Sequence, residues 1–200
     1  RKLGQADMFR YMRLFGFGSV TAGGFPGEVS GQVRHPSKWS KRSLETVAIG
    51  QEIGVTALQM VAAYGAIANG GKLLAPKIVL TKGNEEGRTP EVVRKVVSKE
   101  TALRVTRILE SAVSSGTGGN AKVSGYTVAG KTGTAQRASP GVSGYDPDRY
   151  ISSFIGFLPA EQPEYLCYIV VDSPKGIHWG SQVAAPGFRR IMKRILSLRK

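Results

Sequence analysis

The sequence predicts an α+β fold, an antiparallel sheet flanked by helices, on three observations. Two β-rich runs near the C-terminal end, residues 150–158 and Tyr165–Asp172, are joined only by Pro159-Ala-Glu-Gln-Pro163. That link is too short for a crossover helix, so the two strands must pair antiparallel. Helical periods precede these strands and one follows them, instead of alternating with them as in a parallel βαβ chain. The 200 residues are 41% apolar with a single cysteine, enough chain to bury roughly 70% of its unfolded surface without disulfides or a structural metal.

Taken in order, residues 5–14 read as a short helix that runs into a glycine- and aromatic-rich extended segment, Phe15-Gly-Phe-Gly18 and Gly23-Gly-Phe-Pro-Gly-Glu28. Thr56 is placed to cap a helix whose stripe is Leu58, Val61, Ala62, Ala66 and Ala68, ended by Gly70-Gly71. Two extended pieces are expected next, residues 77–81 and 91–97, with a polar loop at 82–90. Ser98 caps a second helix with Val105, Ile108, Leu109 and Ala112 as its expected apolar stripe. Strands are then expected at 126–136, 150–158 and 165–172, where β-branched and aromatic residues alternate between turn signals. A closing helix sets Phe188, Ile191, Met192, Ile195 and Leu196 against Arg189, Arg190, Lys193 and Arg194. Cys167, inside Leu166-Cys-Tyr-Ile-Val-Val171, reads as a small buried hydrophobe rather than a reactive thiol.

Charge is concentrated at the two ends of the chain. Of the net +14, residues 1–42 carry +6, residues 43–188 only +2 and residues 189–200 another +6. No basic run is interleaved with aromatics and no paired Cys/His appears, so no nucleic-acid partner is expected. No apolar run approaches the ~20 residues of a membrane span. The chain opens on Arg1, and the reading is of an excerpt from a longer protein.

Two chemistries compete around Lys131. Gly125-Tyr-Thr-Val-Ala-Gly130-Lys131-Thr132 satisfies the phosphate-loop pattern, and Asp172, after Ile169-Val-Val, could serve as its magnesium partner. That loop needs a buried strand before it and a helix starting at the Lys-Thr; Asn120-Ala-Lys-Val-Ser124 and Thr132-Gly-Thr-Ala-Gln-Arg137 supply neither. Nucleotide binding stays as the remote alternative. The second pattern is Lys131-Thr132-Gly133 followed by Thr134. On a strand, Thr132 and Thr134 share a face, so two hydroxyls can hold one carboxylate, and Lys131 adds a positive charge. Gly133 lets a ligand approach the backbone, and the Thr134 N–H is a natural oxyanion donor. Simple alternation, however, puts Lys131 on the opposite pleat from the threonines.

The partners of this triplet are missing. The only S-x-x-K is Ser197-Leu-Arg-Lys200, after the triplet, and none of Asn69, Asn84 and Asn120 follows a serine by two residues. His35 and His178 sit in glycine- or proline-flanked loops without carboxylate or cysteine company, so neither a triad nor a metal site is expected. The chain carries a binding and electrostatic half-site: Lys131 and Thr134 as catalytic candidates, Thr132, Gly133 and Thr134 as substrate-binding ones, no nucleophile, no metal and no cofactor.

The surroundings extend the pattern. Ala48-Ile-Gly-Gln51, Val55-Thr-Ala-Leu-Gln59, Ala63-Tyr64, Ile67-Ala-Asn-Gly-Gly71 and Pro76-Lys-Ile-Val79 resemble the segment after the S-x-N motif in class B penicillin-binding proteins. Gly116-Thr-Gly-Gly-Asn-Ala-Lys122, Val128-Ala-Gly-Lys-Thr-Gly-Thr-Ala-Gln136, Ser153-Phe-Ile-Gly-Phe-Leu-Pro159 and Gln182-Val-Ala-Ala-Pro186 are similar to their later blocks, as Phe15-Gly-Phe-Gly18 and Pro26-Gly-Glu28 are to an earlier one. Thr21-Ala-Gly-Gly-Phe25 and Gly187 depart from the pattern. The Gly116-to-Ala121 run looks more like the division-specific (septal) type than the elongation type, with sporulation-specific relatives also compatible.

The resemblance implies the penicillin-binding transpeptidase, or serine β-lactamase-like, fold, with residues 1–200 as the C-terminal portion of the transpeptidase domain. The serine and lysine of S-x-x-K and the S-x-N motif would lie upstream, leaving this stretch inactive alone. It implies a D,D-transpeptidase that cross-links peptidoglycan stem peptides through an acyl-serine, is blocked by β-lactams, and works with cell-division or wall-synthesis membrane proteins. It also implies a single-pass anchor in the cytoplasmic membrane with the catalytic domain outside. Residues 189–200 would then face anionic lipid or wall polymer. A non-catalytic penicillin-binding-like sensor or scaffold is the other class the residues allow.

Overall fold

The computed structural model describes residues 3–78, 90–139 and 144–198, which fall into two compact units, Arg1–Ala102 and Leu103–Lys200. In the first unit, α1 (Gln5–Leu14), α2 (Ser43–Ala48) and α3 (Ala57–Ala68) precede a two-stranded antiparallel ribbon, β1 (Lys72–Leu74) with β2 (Val92–Lys95). Thr56 caps α3 as expected, in a reciprocal box: its hydroxyl accepts the Gln59 N–H at 3.1 Å, and Gln59 Oε1 accepts the Thr56 N–H at 3.0 Å. The other end of Gln59 is buried and donates to Ser19 O at 2.7 Å and Ser30 O at 2.8 Å. One amide thus pins the glycine-rich segment that has no ladder of its own.

Of the expected stripe on α3, Ala66 is buried as read and the other four positions are only partly so. The buried residues are Gln59, Ala63, Ala66 and Ile67, while Leu58, Val61, Ala62 and Ala68 are half-buried. Nearly every position of α3 is apolar, so the sequence period does not fix which face points inward. The first extended piece is also displaced. Gly70-Gly71, both at positive φ, end the helix and turn straight into β1, and the Val96 N–H bonds Gly71 O at 2.7 Å. Of the expected strand at 77–81, Lys77 and Ile78 are not in a strand and 79–81 lie outside the described residues, as does most of the loop at 82–90. The helix α2 was not expected. Its hydroxyls converge on Glu52, which accepts from Ser43 Oγ at 2.8 Å, from Thr46 Oγ1 and from the Arg34 guanidinium. Those bonds from Thr46 and Ser43, and then the charge of Arg34, hold the Glu52 carboxyl below its ordinary range.

The second unit places the site. The amide N–H of Thr101 bonds Ser98 Oγ at 3.0 Å, capping α4 (Lys99–Ser114), which a 3₁₀ turn at Gly119–Ala121 follows. Then β3 (Ala129–Ala138), β4 (Tyr145–Leu158) and β5 (Tyr165–Asp172) form an antiparallel sheet in the order β3-β4-β5, closed by α5 (Gly180–Val183) and α6 (Ala185–Ser197). The short Pro159-to-Pro163 link makes the predicted hairpin, with Leu158 opposite Tyr165. Phe188 of α6 meets Phe154 of β4 edge-on, centroids 4.9 Å apart, amid Val113, Leu158, Ala184, Ala185 and Met192.

Four boundaries or faces differ from the sequence reading. β3 starts at Ala129, not at 126: Ser124 and Gly125, the latter at φ +82°, fold Val123 and Tyr126 into a tight turn first. β4 starts five residues early, at Tyr145, despite Pro147. Its pairing with β5 stops at Ile151, so the missing proline N–H costs no ladder bond on that side. On α4 the buried face is Ala102, Thr106, Leu109 and Val113, leaving Ile108 67% exposed. On α6, Phe188 and Met192 point inward but Ile191 is 42% exposed. Cys167 is half-buried against the core, and burial pushes its thiol pKa up.

Candidate active site

β3 carries Lys131-Thr132-Gly133-Thr134 opposite Ile155, Phe154, Ser153 and Ser152 of β4, and it is the edge of the described sheet. The four sequence-predicted residues are therefore successive positions of one edge strand. Thr132 and Thr134 share a face by the two-residue period, and each hydroxyl is held. Thr132 Oγ1 lies 2.9 Å from Thr117 Oγ1, on the loop after α4. Thr134 Oγ1 accepts the Gly180 N–H at 3.0 Å, from the first residue of α5. Accepting that bond leaves the Thr134 hydroxyl proton free to donate outward. Two hydroxyls on adjacent same-face positions, one oriented by a backbone amide, form a fitting cradle for a planar carboxylate.

The tension over Lys131 resolves at the strand edge. Its exposed side chain starts from the opposite pleat, but Nζ swings to the margin and donates to Thr132 O at 3.0 Å. That contact shows Thr132 O pointing away from β4, toward the open edge. Two residues on, the Thr134 N–H and C=O point the same way. The ammonium, the two hydroxyls and the Thr134 backbone N–H are thus presented along a single margin of the described sheet. Such an arrangement can offer charge to an anionic ligand end and a backbone donor to a developing oxyanion.

Gly133 also has a packing reason to lack a side chain. A Cβ there would stand 2.5 Å from Ser153 Oγ, so the glycine makes room for Ser153 on the Lys131 face. The residue that permits close backbone approach on the threonine face is Gly180. A Cβ on it would run into the carbonyl oxygens of Gly133 and Ser153. Ser152 Oγ donates to His178 O on the same approach, and Asn120 Nδ2 donates to Ser181 O at 2.9 Å, tying the 3₁₀ turn to α5. Thr117 and Gly180 were not singled out from the sequence. The Gly116-Thr-Gly-Gly run and the Trp179-Gly180 step preceding a helix were their only local signals.

The competing phosphate-loop reading fails on geometry. Lys131 and Thr132 lie within a strand, where that loop needs the first turn of a helix. Asp172 stands at the far end of β5, across from Ile151, and pairs with Arg137 at 2.7 Å. The two histidines have structural neighbours: His35 packs edge-on to Phe9, and His178 stacks on Tyr150 at 3.9 Å. Among the described residues no cluster of His, Cys, Asp and Glu is arranged to hold a metal, and no helix is long and apolar enough to cross a membrane.

An edge strand presenting Lys-Thr-Gly-Thr, with a helix packed behind an antiparallel sheet, is the architecture of penicillin-interactive serine enzymes, and comparison with known proteins bears this out. Residues 1–193 match the penicillin binding protein transpeptidase domain, and the chain belongs to that family. It is 41% identical to stage V sporulation protein D of Bacillus subtilis, covering 96% of this chain and 30% of that protein. It is 33% identical to the probable peptidoglycan D,D-transpeptidase PbpC of Pseudomonas aeruginosa, over 96% of this chain and 33% of PbpC. The crystal structure of penicillin binding protein 3 from Mycobacterium tuberculosis superposes with a TM-score of 0.87 at 35% identity, covering 98% of this chain and 47% of that one. That protein has also been solved with aztreonam and with ampicillin. The chain thus spans about a third of the length of the curated relatives it matches.

Proposed function

We propose that this chain is the C-terminal portion of the transpeptidase domain of a class B penicillin-binding protein. In this reading it supplies the carboxylate-binding and oxyanion half of a serine D,D-transpeptidase site. The observation that carries the proposal is the shared margin of β3, where the Thr132 and Thr134 hydroxyls, the Thr134 N–H and the Lys131 ammonium converge. A stem peptide ending in D-Ala-D-Ala would lie antiparallel along that margin. Its terminal carboxylate would accept from Thr132 and Thr134 and be drawn in by Lys131.

A serine from the segment before residue 1 would attack the penultimate carbonyl, its proton passing to a neighbouring base. The tetrahedral oxyanion would rest on the Thr134 N–H. The C–N bond then breaks, and D-Ala leaves as the amine with the returned proton. An amine of a second stem attacks the acyl ester, forming the cross-link and regenerating the serine. A β-lactam carries a carboxylate at a matching distance from its strained amide, and its leaving group stays tethered, so the acyl-serine would persist. The resemblance supports a membrane-anchored protein with this domain outside the cytoplasmic membrane, working with cell-division membrane proteins at the septum. A second reading, wall synthesis during sporulation, is favoured by the 41% identity to stage V sporulation protein D.

Intact-mass analysis of the complete protein after incubation with ampicillin tests the catalytic reading. A one-to-one adduct mapped to a serine before residue 1, absent from the 200-residue chain, is the expected result. A folded complete protein that takes no adduct would reduce it to a non-catalytic sensor or scaffold.

A further inference from the structure

A second concave site lies in the Leu103–Lys200 unit, apart from the β3 margin. It is a cavity of about 580 Å³ between the C-terminal half of α4, the turn leading into β3 and the outer face of α6, within the ~300–1,000 Å³ range of ligand pockets. Buried Val113, Val123 and Val128 contribute to its lining, and so do Ser114, Ser124, Tyr126 and Thr127. Three cations converge on it from two parts of the chain. Lys122 follows the 3₁₀ turn, and Arg189 and Lys193 stand one helical turn apart on α6. All three are exposed, and among the described residues no hydrogen bond or ion pair engages the charged end of any of their side chains.

Three cations around a concavity with one carboxylate in its lining leave a net positive field, and low-dielectric walls focus it. The single carboxylate in the lining, Glu110, offsets only one of the three positive charges; burial, and then repulsion from Glu161, push its pKa up. The mixed lining narrows the occupant. Three cations fit carboxylates, while a glutamate and four hydroxyls fit the N–H and C=O groups of a backbone, and the valines fit a small apolar side chain. A bare phosphate or a flat lipid surface offers only the first of these. We infer that this cavity docks an acidic peptide segment of a partner protein, its carboxylates on Lys122, Arg189 and Lys193 and its backbone on the hydroxyl rim. Because Ser124 to Val128 lead directly into β3, the partner would sit at the root of the strand that carries the Lys131 margin.

The test uses the full chain and fluorescence anisotropy, with a fluorescein-labelled decapeptide of alternating Glu and Leu as probe. Its Gln-Leu counterpart and vesicles of phosphatidylglycerol and phosphatidylcholine are the comparisons. The expected result is binding of the acidic peptide that R189Q/K193Q weakens about ten-fold, from two lost charge-assisted contacts. S124W, which fills the mouth without changing charge, should weaken it at least as much. R190Q/R194Q removes the same charge from the same helix outside the cavity and should leave binding within about two-fold. All these positions are exposed, and thermal melts check that each variant folds. Equal losses in the two double variants, no effect of S124W, equal binding of the Gln-Leu peptide, or binding to vesicles without binding to the peptide would each overturn the inference.

Discussion

Gly180→Ala probes the packing that builds the site. The Cβ of alanine would collide with the carbonyl oxygens of Gly133 and Ser153 and stand 3.2 Å from Ser153 N, all backbone and none of it able to swing aside. The start of α5 must therefore lift from β3, and the Gly180 N–H to Thr134 Oγ1 bond and the Ser152 Oγ to His178 O bond stretch with it. Overpacking against a sheet costs about 1–3 kcal/mol, and each weakened hydrogen bond adds about 1 kcal/mol. A loss of about 3–5 kcal/mol follows, or roughly 6–20 °C in Tm for a chain of this size. Thermal unfolding followed by circular dichroism reads it directly. An alanine variant that melts within about 1 °C of the parent would refute the claim that this glycine sets the distance between α5 and β3.

Three further outcomes are expected. Phe188→Ala leaves a cavity against Phe154 and Leu158 and should lower the urea-unfolding free energy by about 3–5 kcal/mol; a loss below ~1 kcal/mol would show that α6 is not seated there. The half-buried Cys167, its thiol pKa raised by burial, should react with Ellman's reagent far more slowly in the native chain than in urea. Equal rates would place it at the surface. Because the folded pKa of Glu52 lies below its unfolded value, its contribution to stability is present above the ordinary carboxylate range and is lost as the pH falls through the folded value. Glu52→Gln should therefore melt lower at neutral pH yet lose less than the parent on acidification from about pH 6 to 3; parallel acid limbs would contradict it.

The layout of the margin was legible in the sequence because it is local. Four consecutive residues on a strand fix which two hydroxyls share a face, and the short proline-bounded link fixes β4 against β5. Helix existence and capping were legible for the same reason, at Thr56 and Ser98. What escaped depends on contacts distant along the chain. Thr117 meets Thr132 across 15 residues and Gly180 meets Thr134 across 46, and neither spacing has a periodic signature. Helix phase escaped too. On α4 and α6, Ile108 and Ile191 are as apolar as the buried residues beside them, and only tertiary packing selects which face turns inward. The strand at Lys72–Leu74 was hidden by the glycine pair before it, which reads as a loop but serves as both helix stop and strand entry.

The central claim is that the β3 margin holds the carboxylate of the acylating ligand. It is tested most directly by the second-order rate of acylation of the complete protein by a fluorescent penicillin, wild type against Thr132→Val. Valine keeps the shape and β-propensity of the strand but removes the hydroxyl 2.9 Å from Thr117 Oγ1. Losing one hydrogen bond to a charged group predicts a rate about ten- to a hundred-fold lower with the melting temperature nearly unchanged. An unchanged acylation rate in a folded variant would contradict the account.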